Sequence, residues 1–166
     1  MTKNIVIIAG VILLIAWYLS FLAARLDRLH HRVETSWEHL DALLQRRAAV
    51  ALEIAHFTEI DPATSLVLTA SAYHAREATI LERSESESSL SEVLKLFLGE
   101  GEDEIINPEL SRELRDITEK IRFGITTHLE AVNSARNVRN KFAVRVFRLA
   151  GHAPLPVRYA FEDDVL

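Results

Sequence analysis

The 166-residue sequence has no cysteine, only five glycines and four prolines, one methionine, and no excess of positive charge: 19 Lys and Arg stand against 24 Asp and Glu, for a net charge of -5. Without cysteine there is no disulfide framework, thiolate metal site or cysteine nucleophile. The acidic balance argues against a nucleic-acid footprint spread over the whole surface, so no nucleic-acid partner is expected. So few turn residues, in a chain rich in Ala, Leu, Glu and Arg, favour helix over sheet and predict an all-α fold. No glycine-rich phosphate loop or nucleophile elbow occurs, and nothing calls for a cofactor or catalysis. The expected chain is not an enzyme.

What the chain does have is a long apolar run. Ile5 to Ala24 contains no charged residue, no Asn and no Gln, and its length at 1.5 Å per residue matches a hydrocarbon core of about 30 Å. The reading is a transmembrane anchor over residues 1–25, with Ile5, Val11, Leu14, Trp17, Tyr18, Phe21 and Ala24 in or at the edge of the span. A cleaved signal peptide fits less well, because Phe21 and Leu22 stand where small side chains would be wanted. Arg25, Arg28 and Arg32 follow the span, with His30 and His31 nearby, whereas Lys3 and the amino terminus precede it. The positive-inside rule then places a short N-terminus outside the cell membrane and the remainder in the cytoplasm.

Past the anchor, Leu26, Leu29, Val33, Trp37, Leu40, Leu44, Ala48, Ala51 and Ala55 recur at spacings of 3, 4, 4, 3, 4, 4, 3 and 4. An eleven-residue period keeps one apolar stripe in line on a nearly straight helix continuous with the span. Asp61-Pro62 and Asn107-Pro108 are cap-plus-proline starts. They predict a second helix from Ala63 toward Leu98, with Leu66, Ala70 and Tyr73 among its core residues, and a last one from Glu109 to about Ala150, with Leu114, Ile117, Ile121, Val138 and Phe142 on its stripe. A capping box at Ser89 and Glu92 would restart the second helix after the Ser84–Ser89 run, giving four helices rather than three. The expected architecture is an antiparallel bundle of three to four long helices over residues 26–150, followed by an extended tail over 151–166.

Several clusters invite a functional reading. Trp37 and Asp41 share a helix face, as either a partner anchor or a core Trp beside a salt-bridging acid. Arg46 and Arg47 could grip an anion, or face solvent with one reaching a neighbouring helix's acid. Glu53 and His56 form one E-x-x-H pair, where a di-iron bundle needs two, so no metal is expected. The serine-glutamate run from Ser84 to Ser91 reads as solvated. Arg136, Arg139, Lys141, Arg145 and Arg148 form a basic end without acids, suited to an acidic partner or to anionic lipid. In a three-helix path that end is distal from the membrane, whereas a four-helix path returns it.

Val33, Ser36, Trp37, Leu40, Asp41, Leu44, Arg46 and Arg47 resemble the V-x-x-A-W-x-x-I-D-x-x-L-x-R-R pattern that follows the N-terminal anchor of LemA family proteins, and Phe161-Glu162 resembles the Phe-Glu of that family's tail. The chain differs at Leu52-Glu53, where the family carries Pro-Asn. The resemblance implies a membrane-anchored antiparallel bundle and no catalytic residues. The expected role is a scaffold or accessory protein that recruits protein partners or another copy of itself. A ligand- or metal-sensing bundle and a lipid-remodelling protein are the alternatives.

Overall fold

The computed structural model describes residues 2–57, 60–79, 82–97, 107–147 and 149. Among these the protein is all-α, with five helices: α1 (Thr2–Ala55), α2 (Pro62–Glu77), α3 (Arg83–Phe97), α4 (Pro108–Arg139) and the short α5 (Phe142–Val146). The expected extended tail over 151–166, with Phe161 and Glu162, lies outside the described residues.

α1 is unbroken, so the apolar run and the amphipathic stretch after it are one helix. Asp61 starts α2: its carboxylate accepts from the amides of Ala63 and Thr64, both at 3.1 Å, with Pro62 at the first helical position. Asn107 starts α4 in the same manner, its side-chain oxygen accepting from Glu109 N at 2.9 Å.

The middle of the chain does split in two, but earlier than Ser89. α2 ends at Glu77, and Glu82 Oε2 accepts from the hydroxyl of Thr79 at 2.7 Å and from its amide at 3.4 Å. This is the returning half of a capping box, and Thr79 holds the Glu82 carboxyl below its ordinary range. The run expected to be solvated is therefore helical, and its Ser86, Glu87 and Ser91 are buried.

The chain divides into two compact units, one formed by Met1–Ser36 with His128–Val157 and the other built on Trp37–Thr127. The second is a four-helix arrangement. Its core joins Leu40, Leu44, Ala48, Ala51 and Ala55 of α1, Leu68, Ala72 and Ala75 of α2, Leu90 and Leu94 of α3, and Leu114, Ile117 and Ile121 of α4. Ser65 Oγ donates to the Ala55 carbonyl at 2.6 Å and Gln45 Nε2 to the Arg76 carbonyl at 3.2 Å, so α2 runs antiparallel to α1. α4 is antiparallel as well: Arg46 pairs with Glu113 at one end, while Gly124 meets Leu40 at the other.

The core face expected on α2 is the wrong one. Leu66, Ala70 and Tyr73 are exposed, and Leu68, Ala72 and Ala75 are buried instead. The Asp61 cap and the Ser65 bond to α1 fix the helix rotation, and the two alanines let its backbone approach closely.

In the first unit α1 and α4 are again antiparallel, with Ser36 beside His128 and Leu26 beside Val138. α4 stops at Arg139, short of the expected Ala150. Lys141 adopts extended backbone (ψ 139°), and α5 then turns Val144 into a cluster with Leu22, Leu26 and Val138. Phe142, expected on the core stripe, is consequently 82% exposed.

Candidate functional site

Among the described residues, two places concentrate polar or charged groups with specific geometry, one in each unit. In the second unit, Arg47 and Glu87 are both sealed from solvent. Arg47 Nη2 donates to Glu87 Oε2 at 2.6 Å and to the Glu87 carbonyl at 3.3 Å. Arg83 donates to Asp41 Oδ1, donates through Nη1 to the Ala75 carbonyl at 2.9 Å, and approaches Glu87 Oε1 at 3.9 Å. Ser91 Oγ caps the same carbonyl of Glu87 at 2.8 Å. Burial pushes the Glu87 carboxyl above its ordinary range, and the charge of Arg47 opposes that push without cancelling it. The result is an alternating acid–base chain, Asp41–Arg83–Glu87–Arg47, laid across α1 and α3.

Beside this chain opens a groove of about 380 Å³ whose lining, among the described residues, includes Arg47, Lys95, Arg115, Glu119 and Arg122 together with Leu94 and Leu114. Arg47 Nε has no hydrogen-bond partner.

The first unit carries the other place. Arg136 and Arg139 are half-buried on the last turn of α4, and Lys141 and Arg145 are exposed around α5. Phe142, Val146 and Phe147 are exposed between them. All of this sits on Val138 and Val144, which pack against Leu22 and Leu26 at the end of the apolar run. The basic end thus adjoins the last turn of that run, as in the four-helix path. Further along α1, Ser36 Oγ donates to the Val33 carbonyl at 2.8 Å and lies 3.0 Å from His128 Nδ1. Which of the two donates follows from the imidazole tautomer. Burial lowers the pKa of His128.

The structure brings together some of the residues singled out from sequence and scatters others. Trp37 is half-buried against the core, and Asp41 one turn later serves Arg83. Arg46 is half-exposed and donates to Glu113 Oε1 from Nε at 2.8 Å and from Nη2 at 2.5 Å, with Glu53 3.8 Å away. Arg47, its sequence neighbour, is buried, so the two arginines do not form one anion grip. Glu53 and His56 are exposed, and His56 Nδ1 lies 2.6 Å from the Leu52 carbonyl. No group of three or more potential metal ligands converges among the described residues. Arg148 lies outside them.

Sequence reasoning missed Arg83 and Glu87. Their signal was present: Arg83, Glu87, Leu90, Ser91 and Leu94 follow the same three-and-four spacing as an apolar stripe, with charged members in the inward register.

Ile5, Val11, Leu14, Trp17, Tyr18, Phe21 and Ala24 are exposed, and α1 is the one helix among the described residues long and apolar enough to cross a membrane. Comparison with protein-family models, curated proteins and solved structures returned no match to the chain.

Proposed function

We propose that this chain is a single-pass membrane protein, similar to the LemA family, that acts without catalysis as a scaffold or accessory subunit and holds a protein partner at the cytoplasmic face of the cell membrane. The observation that carries the reading is the continuity of α1. One continuous helix supplies both an apolar stretch that is exposed over most of its length and, further along, a stripe of a packed core. The Arg25–Arg32 cluster supports a cytoplasmic bundle. A docking face is supported by Leu66, Val67, Ala70 and Tyr73 on α2, an exposed apolar stripe at helical spacing of the kind that receives a partner helix.

The test is extraction of the tagged protein from its native membrane in mild detergent, with quantitative mass spectrometry of what co-purifies. A partner in fixed ratio, lost from the Leu66→Glu/Tyr73→Glu variant while the bundle stays folded by circular dichroism, supports the scaffold. Recovery of the protein alone overturns it.

A second reading, sensing of a small organic anion, draws on the groove beside Arg47, whose size is in the range of ligand sites and whose lining joins basic side chains and Glu119 to Leu94 and Leu114. Thermal-shift titration with aliphatic carboxylates and phosphates tests it. A saturable stabilisation abolished by Arg115→Gln/Arg122→Gln supports sensing, and no shift at millimolar ligand removes it.

A further inference from the structure

We propose that α5 and its flanks form a second membrane contact, a short basic-aromatic foot that enters the headgroup layer of an anionic leaflet beside the transmembrane helix. The proposal rests on the membrane-span reading of α1.

Position is the first argument. Val144 of α5 is buried against Leu22 and Leu26, and Leu149 lines a recess with Ala23, Ala24 and Asp27. These α1 residues straddle the end of the apolar run. A bilayer's polar layer extends roughly 5–8 Å beyond its hydrocarbon on each side. From Ala24 to Leu26 the helix rises only about 3 Å, so a segment packed on Leu22 and Leu26 lies at headgroup depth.

Exposure is the second argument. Phe142 is 82% exposed, Val146 54% and Phe147 53%, all within six residues; Phe142 and Val146, one turn apart, stand about 200° round α5 from the buried Val144, and Phe147 follows as the C-cap. Three large apolar side chains left in water on so short a segment lose their hydrophobic burial, and an interface that accepts aromatic rings restores it. Charge is the third. Lys141 and Arg145 are one turn apart and exposed beside these rings, and Arg136 and Arg139 precede them. Cations of this kind are drawn to acidic headgroups, while their aliphatic stems follow apolar surface. A protein partner could use the apolar residues. The combination of rings, cations and headgroup depth fits lipid.

The chain has no cysteine, so single nitroxide labels report depth directly. The full-length protein is reconstituted in vesicles of zwitterionic lipid or of zwitterionic lipid with a third anionic lipid. Labels are placed at Leu14→Cys in the span, Phe142→Cys on the foot and Ser89→Cys on α3. Collision with oxygen and with a water-soluble nickel chelate gives each label's depth. The expected result is that the Leu14 label is shielded from nickel in both vesicles, the Ser89 label in neither, and the Phe142 label in anionic vesicles. Each cation at an anionic surface shifts such an equilibrium roughly fivefold. Lys141→Gln with Arg145→Gln should therefore return the Phe142 label toward water by about thirtyfold in population, without moving the Leu14 label. A Phe142 label open to nickel in anionic vesicles, with Leu14 still shielded, overturns the foot and leaves the span standing. A Leu14 label open to nickel overturns the span, and the foot with it.

Discussion

Arg47 Nη2 stands 2.6 Å from Glu87 Oε2, an ion pair between α1 and α3 with both side chains sealed inside the second unit. Such a pair is demanding. Desolvating two charges offsets most of their attraction, so the pair fixes which helix faces meet more than it adds net stability. Removing one partner is different, because the remaining charge is stranded. Glu87→Leu is expected to cost about 3–5 kcal/mol in denaturant unfolding of the full chain in mild detergent. Arg47→Met/Glu87→Leu should recover most of that loss, and a double variant as unstable as the single one would show that the pair contributes net stability.

His128 sets a pH response in the first unit. Burial lowers its folded-state pKa, so as pH falls the unfolded chain takes up the proton first. The stability it contributes is complete above the unfolded value of about 6.5 and is lost progressively as pH drops below it, toward the folded value. The melting temperature should fall more steeply below pH 6.5 in the wild type than in His128→Gln, whose amide can still meet Ser36. Equal slopes would mean that the imidazole is not desolvated.

Gly124 lies where α4 crosses α1. A methyl group there would meet Leu40 Cδ1 at 3.2 Å and Leu43 Cδ1 at 3.7 Å. Gly124→Ala gains up to about 1 kcal/mol of helix propensity, which a small displacement of Leu40 offsets, so its unfolding midpoint should barely move. Gly124→Val overpacks the crossing, and a loss of about 1–3 kcal/mol is expected by denaturant titration.

Orientation can be read on intact cells. A membrane-impermeant maleimide should label Thr2→Cys at once and Ser89→Cys only after the membrane is opened. The inverse pattern would contradict the positive-inside argument from Arg25, Arg28 and Arg32.

The large features were legible in the sequence because they are written in periodicity and caps. The stripe from Leu26 to Ala55 and the starts at Asp61 and Asn107 depend on residues close in sequence, and local physics decides them. The face of α2 was not legible: Leu66, Ala70 and Tyr73 keep the same spacing as Leu68, Ala72 and Ala75, and the face that is buried is the one whose rotation also brings Ser65 Oγ to the Ala55 carbonyl of another helix. Glu87 escaped for a related reason. A glutamate among serines reads as solvated until a cation from forty residues earlier is known to meet it. The turn at Lys141 depends on a burial site for Val144 that only α1 provides.

That forty-residue separation also imposes an order on the chain's birth. Arg47 leaves the ribosome long before Glu87, and at roughly 5–20 residues per second the wait is about 2–8 s. During it the guanidinium has no Glu87 carboxylate to meet and keeps its water, so the face of α1 that α3 comes to cover stays hydrated. The pair forms only once α3 has been made, so the closing of that face of α1 is timed by synthesis as well as by attraction.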